Sequence, residues 1–179
     1  MPPAFETITT GRLIIRPYAD DDIAAAQSFL MDAETMAFWP RPFTAAEAAE
    51  WVQRNAARIR DTIYGRCALV LRSSGEVIGD AGVMRISVAG EERNDLGYIV
   101  SSRHWRQGLA TEAALALRDH YFDVFGVDEL CANMAWDHVG SQRVAERIGM
   151  RRVLEFHNPR NRGFLTYLYS ISRPPTVTR

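Results

Sequence analysis

The chain has only two cysteines, Cys67 and Cys131, which lie far apart and each inside an apolar, strand-like run. Buried thiols are therefore expected, not a disulfide or a metal pair. The four histidines show no ligand spacing, so no metal site is expected. Long apolar runs are also missing. None spans a bilayer, and the opening stretch MPPAFETITT lacks the basic and apolar regions of a signal peptide. No membrane partner and a cytoplasmic location are expected. The formal net charge is −1 and the arginines are scattered, which provides no field for wrapping nucleic acid. No G-x-x-x-x-G-K-[ST] occurs, and no G-x-G-x-x-G follows a strand, which excludes two familiar phosphate loops.

With 47% hydrophobic and 24% charged residues, 179 positions suit one domain with a real core. We assign residues 1–173 to it and 174–179, PPTVTR, to a loose tail. RLIIRP at Arg12–Pro17 alternates and ends at proline, as a strand does. Asp20, Asp21 and Asp22 favour the start of a helix that continues through IAAAQSFLMDAE. Thr44 with Glu47 forms a capping box for a helix reaching about Ile63. Cys67–Leu71, Val77–Met84 and Leu96–Val100 read as an antiparallel meander with turns at SSGE and AGEERN. A long helix follows from Leu109, closed by Gly126. ELCANMAW is a strand, Asp137 caps a short helix through Ile148, and Arg152–Phe156 and Phe164–Ile171 are the last two strands. The class is mixed α/β with seven strands and four helices.

The stretch RHWRQGLATEA at Arg103–Ala113 sets small residues at the start of the long helix. The first amides of a helix have no internal partner and its dipole makes that end electropositive, so it seats an anion. Gly108 and Ala110 keep side chains away, and Arg103 and Arg106 add charge at the rim. This reads as a cradle for a phosphate or pyrophosphate, against the plainer alternative of an ordinary strand-to-helix turn.

RLIIRP at Arg12, DLGYIV at Asp95, HWRQGLATEA at His104 and SQRVAERIGM at Ser141 together resemble the GCN5-related N-acetyltransferases (GNAT), most closely the branch of ribosomal-protein N-terminal acetyltransferases. The resemblance implies a mostly antiparallel seven-stranded sheet, splayed at its centre and flanked by about four helices. It implies acetyl-CoA as co-substrate, no metal, and a primary amine as acceptor, either a protein N-terminus or a small molecule such as a polyamine, an antibiotic or an amino acid. A homodimer is left open. The pyrophosphate would rest on the main chain of Arg106, Gln107, Gly108, Leu109, Ala110 and Thr111. Trp105 stands where relatives carry Gln or Arg, and Arg106 where glycine is common.

An acetyl transfer from a thioester to an amine needs a neutral amine, a polarised carbonyl and a proton for the thiolate. Gly97 is expected to allow a bulge that frees backbone groups at Tyr98, Ile99 and Val100 for the pantetheine arm and the carbonyl oxygen. Asp95 matches a position where relatives often carry Glu and draws the amine's proton through water, unless it is only a solvated strand-end carboxylate. Ser141 matches the serine placed near the CoA sulfur and would donate to the leaving thiolate. Glu112, although within the resemblance, is expected to pack or cap. Tyr98, Tyr167 and Tyr169 are further proton-donor candidates, with core or rim positions the plainer reading. A Ser/His/Asp hydrolase built on Asp137 and His138 fails, because neighbouring positions point apart and no G-x-S-x-G elbow occurs. A catalytically silent acetyl-CoA-binding module on the same scaffold is the competing class.

Overall fold

The computed structural model describes residues 4–88 and 90–175. The end of the expected loose tail, from 176 on, lies outside them. The elements run β1 (Ile8–Thr9), β2 (Leu13–Arg16), α1 (Ile23–Leu30), α2 (Ala45–Asp61), β3 (Gly65–Leu71), β4 (Val77–Val88), β5 (Glu91–Val100), α3 (Leu109–Asp123), β6 (Glu129–Ala135), α4 (Val139–Arg147), β7 (Arg151–Asn158) and β8 (Phe164–Ser172). They form one mixed sheet of order β1-β2-β3-β4-β5-β6-β8-β7 with helices on both faces. Among the described residues eight strands are present where seven were expected, because a two-residue strand precedes RLIIRP and pairs with it.

Strand alternation sorts the core onto two faces. Leu13, Ile15, Cys67, Leu69, Ala81, Val83, Leu96 and Val100 pack with Leu109, Ala113, Leu117 and Tyr121 of α3 and with Val144 and Ala145 of α4. Ala68, Val70 and Ile99 face Ala26, Phe29 and Leu30 of α1 and Trp51 and Val52 of α2. Both cysteines are buried and free, as expected. The Thr44–Glu47 capping box forms: the Thr44 hydroxyl accepts from the Glu47 amide (3.2 Å) and the Glu47 carboxylate from the Thr44 amide (2.8 Å). Asp20–Asp22 form a 3-10 turn ahead of α1. The Asp22 carboxylate receives the Arg16 guanidinium (2.7 and 2.8 Å) and the Ala19 amide (2.8 Å). All 21 basic side chains are arginine, and the sequence contains no lysine.

Two expectations are corrected. Glu91–Asn94 of AGEERN are not a loop: they belong to β5, which stays paired with β4 through Val88↔Glu91. Asp137 does not cap α4; His138 occupies the N-cap position, with no side-chain cap bond.

The feature that positions the site is the junction of β5 and β6. All other neighbouring strands run antiparallel, whereas these two run parallel and share the single register pair Asp95↔Cys131. Beyond it they diverge, so the sheet opens into a V toward their C-terminal ends. α3 starts just after one arm of the V and α4 just after the other.

Candidate active site

Gly108 is the N-cap of α3 with φ +77°, a left-handed backbone that glycine adopts without steric penalty. Arg106 has φ +60°, so the position where glycine is common carries a strained arginine. Among the described residues the amides of 106–111 find no hydrogen-bond acceptor; the ladder of α3 begins with the Glu112 amide on the Gly108 carbonyl (3.0 Å). A Cβ on Gly108 would meet only Arg12 Nη2, at 3.6 Å, so the space in front of the helix is open. An extended row of free donors at a dipole's positive end fits the pyrophosphate of acetyl-CoA. Arg103 and Arg106 are exposed at its rim.

Sequence reasoning missed how this loop is held. Glu112 of α3 accepts from Thr10 Oγ1 (2.6 Å), the Arg12 amide (2.7 Å) and Arg12 Nε (2.7 Å), while Arg12 Nη1 donates to the Gln107 carbonyl (2.8 Å). The expectation that Glu112 packs or caps thus becomes specific: it clamps the β1–β2 hairpin to α3 and, through Arg12, to the cradle. Burial raises the Glu112 carboxyl, but the bonds from Thr10 and Arg12 outweigh it and hold the group below the ordinary glutamate value. Such a group stabilises the fold above its unfolded pKa and loses that contribution as pH falls through the folded value. Glu112→Gln is therefore expected to destabilise by about 1–2 kcal/mol near neutral pH, since Arg12 is half exposed. The gap to wild type should close below about pH 4 in urea unfolding series.

Gly97 makes no bulge. β4 and β5 pair without interruption from Gly79↔Val100 to Val88↔Glu91, including Gly82↔Gly97. The opening lies on the other side of β5, toward β6. The Ser101 amide donates to the Ile78 carbonyl (2.8 Å), which by antiparallel alternation turns the Ile99 peptide toward β4 and those of Tyr98 and Val100 toward the V. Ile99 is thus removed from the expected set of free groups. The Val100 carbonyl is also occupied, by Trp105 Nε1 (2.7 Å). Trp105 therefore braces the strand end against the cradle.

Asp95 sits in mid-strand at the apex of the V and is 7% exposed, which excludes the solvated strand-end alternative. Asn133 Nδ2 of β6 donates to its Oδ1 (2.8 Å). Burial pushes its carboxyl above the usual aspartate value, opposed by the Arg66 guanidinium and by Asn133. On the other face of β5, Tyr98 Oη donates to the Ser141 carbonyl (3.0 Å) and shares a hydrogen bond with Ser141 Oγ (3.0 Å). This pair joins β5 to the first turn of α4 across the V. Burial raises the Tyr98 phenol well above its usual value, so it stays protonated. Tyr167 and Tyr169 are engaged elsewhere, the first beneath Arg152 and the second with Glu146.

The loop between α1 and α2 is held by contacts that local sequence does not reveal. Phe38, between α1 and α2, stacks on His138 at the start of α4 (centroids 3.8 Å apart, planes 9° apart), and Asn161 Nδ2 from the β7–β8 turn donates to the Phe38 carbonyl (2.8 Å). Burial lowers the His138 pKa to about 4, against the pull of Asp137, so the ring stacks neutral. The loop bearing Phe38 is pinned to the end of β5: Thr35 Oγ1 accepts from the Ser102 amide (2.9 Å), and Asp32 Oδ2 accepts from Ser102 Oγ (3.1 Å).

The sheet thus opens beside its parallel pair, with a bare helix N-terminus at the mouth. The acetyltransferase (GNAT) domain family matches residues 12–151, and the chain belongs to that family. It is 27% identical over 146 residues to the uncharacterized N-acetyltransferase YnaD of Bacillus subtilis, covering 81% of this chain and 82% of the relative. The crystal structure of a GNAT-family acetyltransferase from Bacillus anthracis superimposes with a TM-score of 0.80 at 23% identity, over 94% of this chain and 99% of that one. A ribosomal L7/L12 alpha-N-protein acetyltransferase, solved in complex with coenzyme A, superimposes with a TM-score of 0.76 at 16% identity, over 93% and 98% of the two chains. The chain is an acyltransferase of the GNAT fold.

Proposed function

We propose that this protein transfers the acetyl group of acetyl-CoA directly to a primary amine, and that the amine is the α-amino group of a protein N-terminus. The observation that carries the reading is the buried Asp95 carboxyl at the point where β5 and β6 part, with the Tyr98–Ser141 pair across the same opening. Arg106, Gln107, Gly108, Leu109, Ala110 and Thr111 would hold the pyrophosphate on main-chain amides. The amides of Tyr98 and Val100 would take the pantetheine arm and the thioester carbonyl.

Asp95 then takes the proton of the ammonium through a water. Its raised pKa makes it a stronger base than an exposed aspartate. The Ser141 hydroxyl protonates the leaving thiolate and recovers its proton from the attacking nitrogen, which sheds its second N–H proton as the amide forms, while Tyr98, kept protonated by burial, holds the hydroxyl in place. An α-ammonium, with a pKa of about 8, is within reach of a carboxylate base, whereas a lysine at about 10.4 asks more of it.

Release of free thiol from acetyl-CoA, measured side by side with N-terminal peptides, polyamines, aminoglycosides and amino acids, tests both parts. N-terminal peptides should turn over fastest. A small amine exceeding them overturns the acceptor. Stabilisation by acetyl-CoA without thiol release from any amine would make the protein a binding module.

A further inference from the structure

β3 begins with Gly65-Arg66, and Arg66 is a charged residue in a strand whose other side chains are apolar. Register places Arg66 opposite Gly82 of β4, and Gly82 opposite Gly97 of β5. The three lie in one row on the face that α1 and α2 cover, and the two glycines leave the row without side chains. Arg66 reaches across it. A Cβ on Gly97 would lie 2.5 Å from Arg66 Cζ and nearer still to Nη2, so the guanidinium fills the space that Gly97 leaves vacant. This is what Gly97 provides in place of a bulge.

Arg66 is 6% exposed, and its Nε and Nη1 atoms are sealed from solvent and donate to no described group. A buried guanidinium without direct partners is costly unless its charge is used. Two carboxylates share its face. Asp80 is wholly buried and receives Tyr18 Oη (2.9 Å) and Trp51 Nε1 (2.7 Å) on Oδ2, while among the described residues Asp95 receives only Asn133. The other charged or titratable groups facing Asp95 offer it no cation. Tyr98 and Cys131 are neutral, and Arg93 is engaged by Glu91 (2.5 Å) and Glu129 (3.5 Å).

We propose that Arg66 is a positioning residue for the acceptor chemistry: its guanidinium, seated over Gly97, is the counter-charge that keeps the Asp95 carboxylate available to the amine. The inference rests on the reading of Asp95 as the proton acceptor. The pull of Arg66 on the Asp95 carboxyl agrees with it in direction. Without the guanidinium, burial acts unopposed by any nearby cation, and the carboxyl holds its proton to higher pH.

The test is a titration of Asp95 by carboxyl 13C NMR, its signal assigned with Asp95→Asn, alongside pH profiles of kcat/KM for the amine. Arg66→Met should move the Asp95 midpoint up by about one pH unit or more, and the acidic limb of the profile should follow it. Arg66→Lys should restore most of the shift. Gly97→Ala, which displaces the guanidinium while leaving it in the chain, should move the midpoint in the same direction, and combining it with Arg66→Met should add nothing. Acetyl-CoA should raise Tm equally in all of them. An unchanged midpoint in Arg66→Met, or in Gly97→Ala where the first variant does not fold, overturns the proposal, as does a loss of activity equal at every pH. Full activity in Asp95→Asn would instead remove the proton-acceptor reading, and the NMR midpoint would still report whether Arg66 acts on Asp95.

Discussion

Asp95→Asn is expected to lower kcat/KM for the amine by about 10²-fold or more near neutral pH while leaving acetyl-CoA binding intact, because in the proposed cradle that ligand would rest on main chain. The amide keeps the shape of the carboxyl and can still accept the Asn133 hydrogen bond, so a loss of activity reports the missing base and not a collapsed strand. The defect should shrink as pH rises, since solution then supplies neutral amine unaided. Ser141→Ala should show the opposite trend, its defect persisting or growing toward alkaline pH, where an external proton for the thiolate is scarcer. Stability provides a separate check. An aspartate whose folded pKa is raised by burial contributes stability below its unfolded pKa and loses it as pH rises through the folded value. At pH 7–8 the asparagine variant should therefore melt no lower than wild type. A profile for Asp95→Asn that overlays wild type would assign the proton to another group or to a chain of water.

Gly108→Val is the second large effect. Thermal melts with and without ligand should show acetyl-CoA raising Tm of the wild type while ATP and NAD do not, and the variant should lose the rise altogether. Two costs are involved and can be separated. A side chain at φ +77° is strained by about 1–2 kcal/mol, which lowers Tm without ligand. A branched side chain also fills the space in front of the free amides, which removes binding. Gly108→Ala carries most of the strain and little of the bulk, so it should melt low yet still respond to acetyl-CoA. A folded Gly108→Val protein with wild-type affinity would place the cradle elsewhere.

The bare helix start proposed as the cradle was legible in the sequence because it is local: a strand end, a glycine and a helix start follow one another within RHWRQGLATEA, and its free amides are main chain whatever the flanking side chains are. Asp95 and Ser141 were legible as single positions. Their surroundings were not, because each comes from a distant strand or loop: Asn133 reaches Asp95 across the sheet, Arg66 lies over Gly97, and Tyr98 meets Ser141 across the V. Gly97 shows the ambiguity well, since a glycine in a strand signals either a bulge or the close approach of another group, and only register decides between them. AGEERN misled because its polarity resembles a turn, whereas both strands continue through exposed and half-buried positions that the core does not pattern. Asp137 was preferred as a cap on side-chain chemistry, but the backbone places the helix start one residue later.

The absence of lysine gives this catalyst a chemical silence of its own. An enzyme that acylates amines normally offers its own surface ammonium groups as competing targets, and its preparations accumulate the mark they make. Here guanidinium stands at every basic position, carrying the charge of the ion pairs at Glu112, Asp22 and Glu47 while remaining protonated and non-nucleophilic. The side chains therefore provide no internal sink for acetyl groups. Any acetyl-lysine found after long incubation with a protein acceptor belongs to that acceptor.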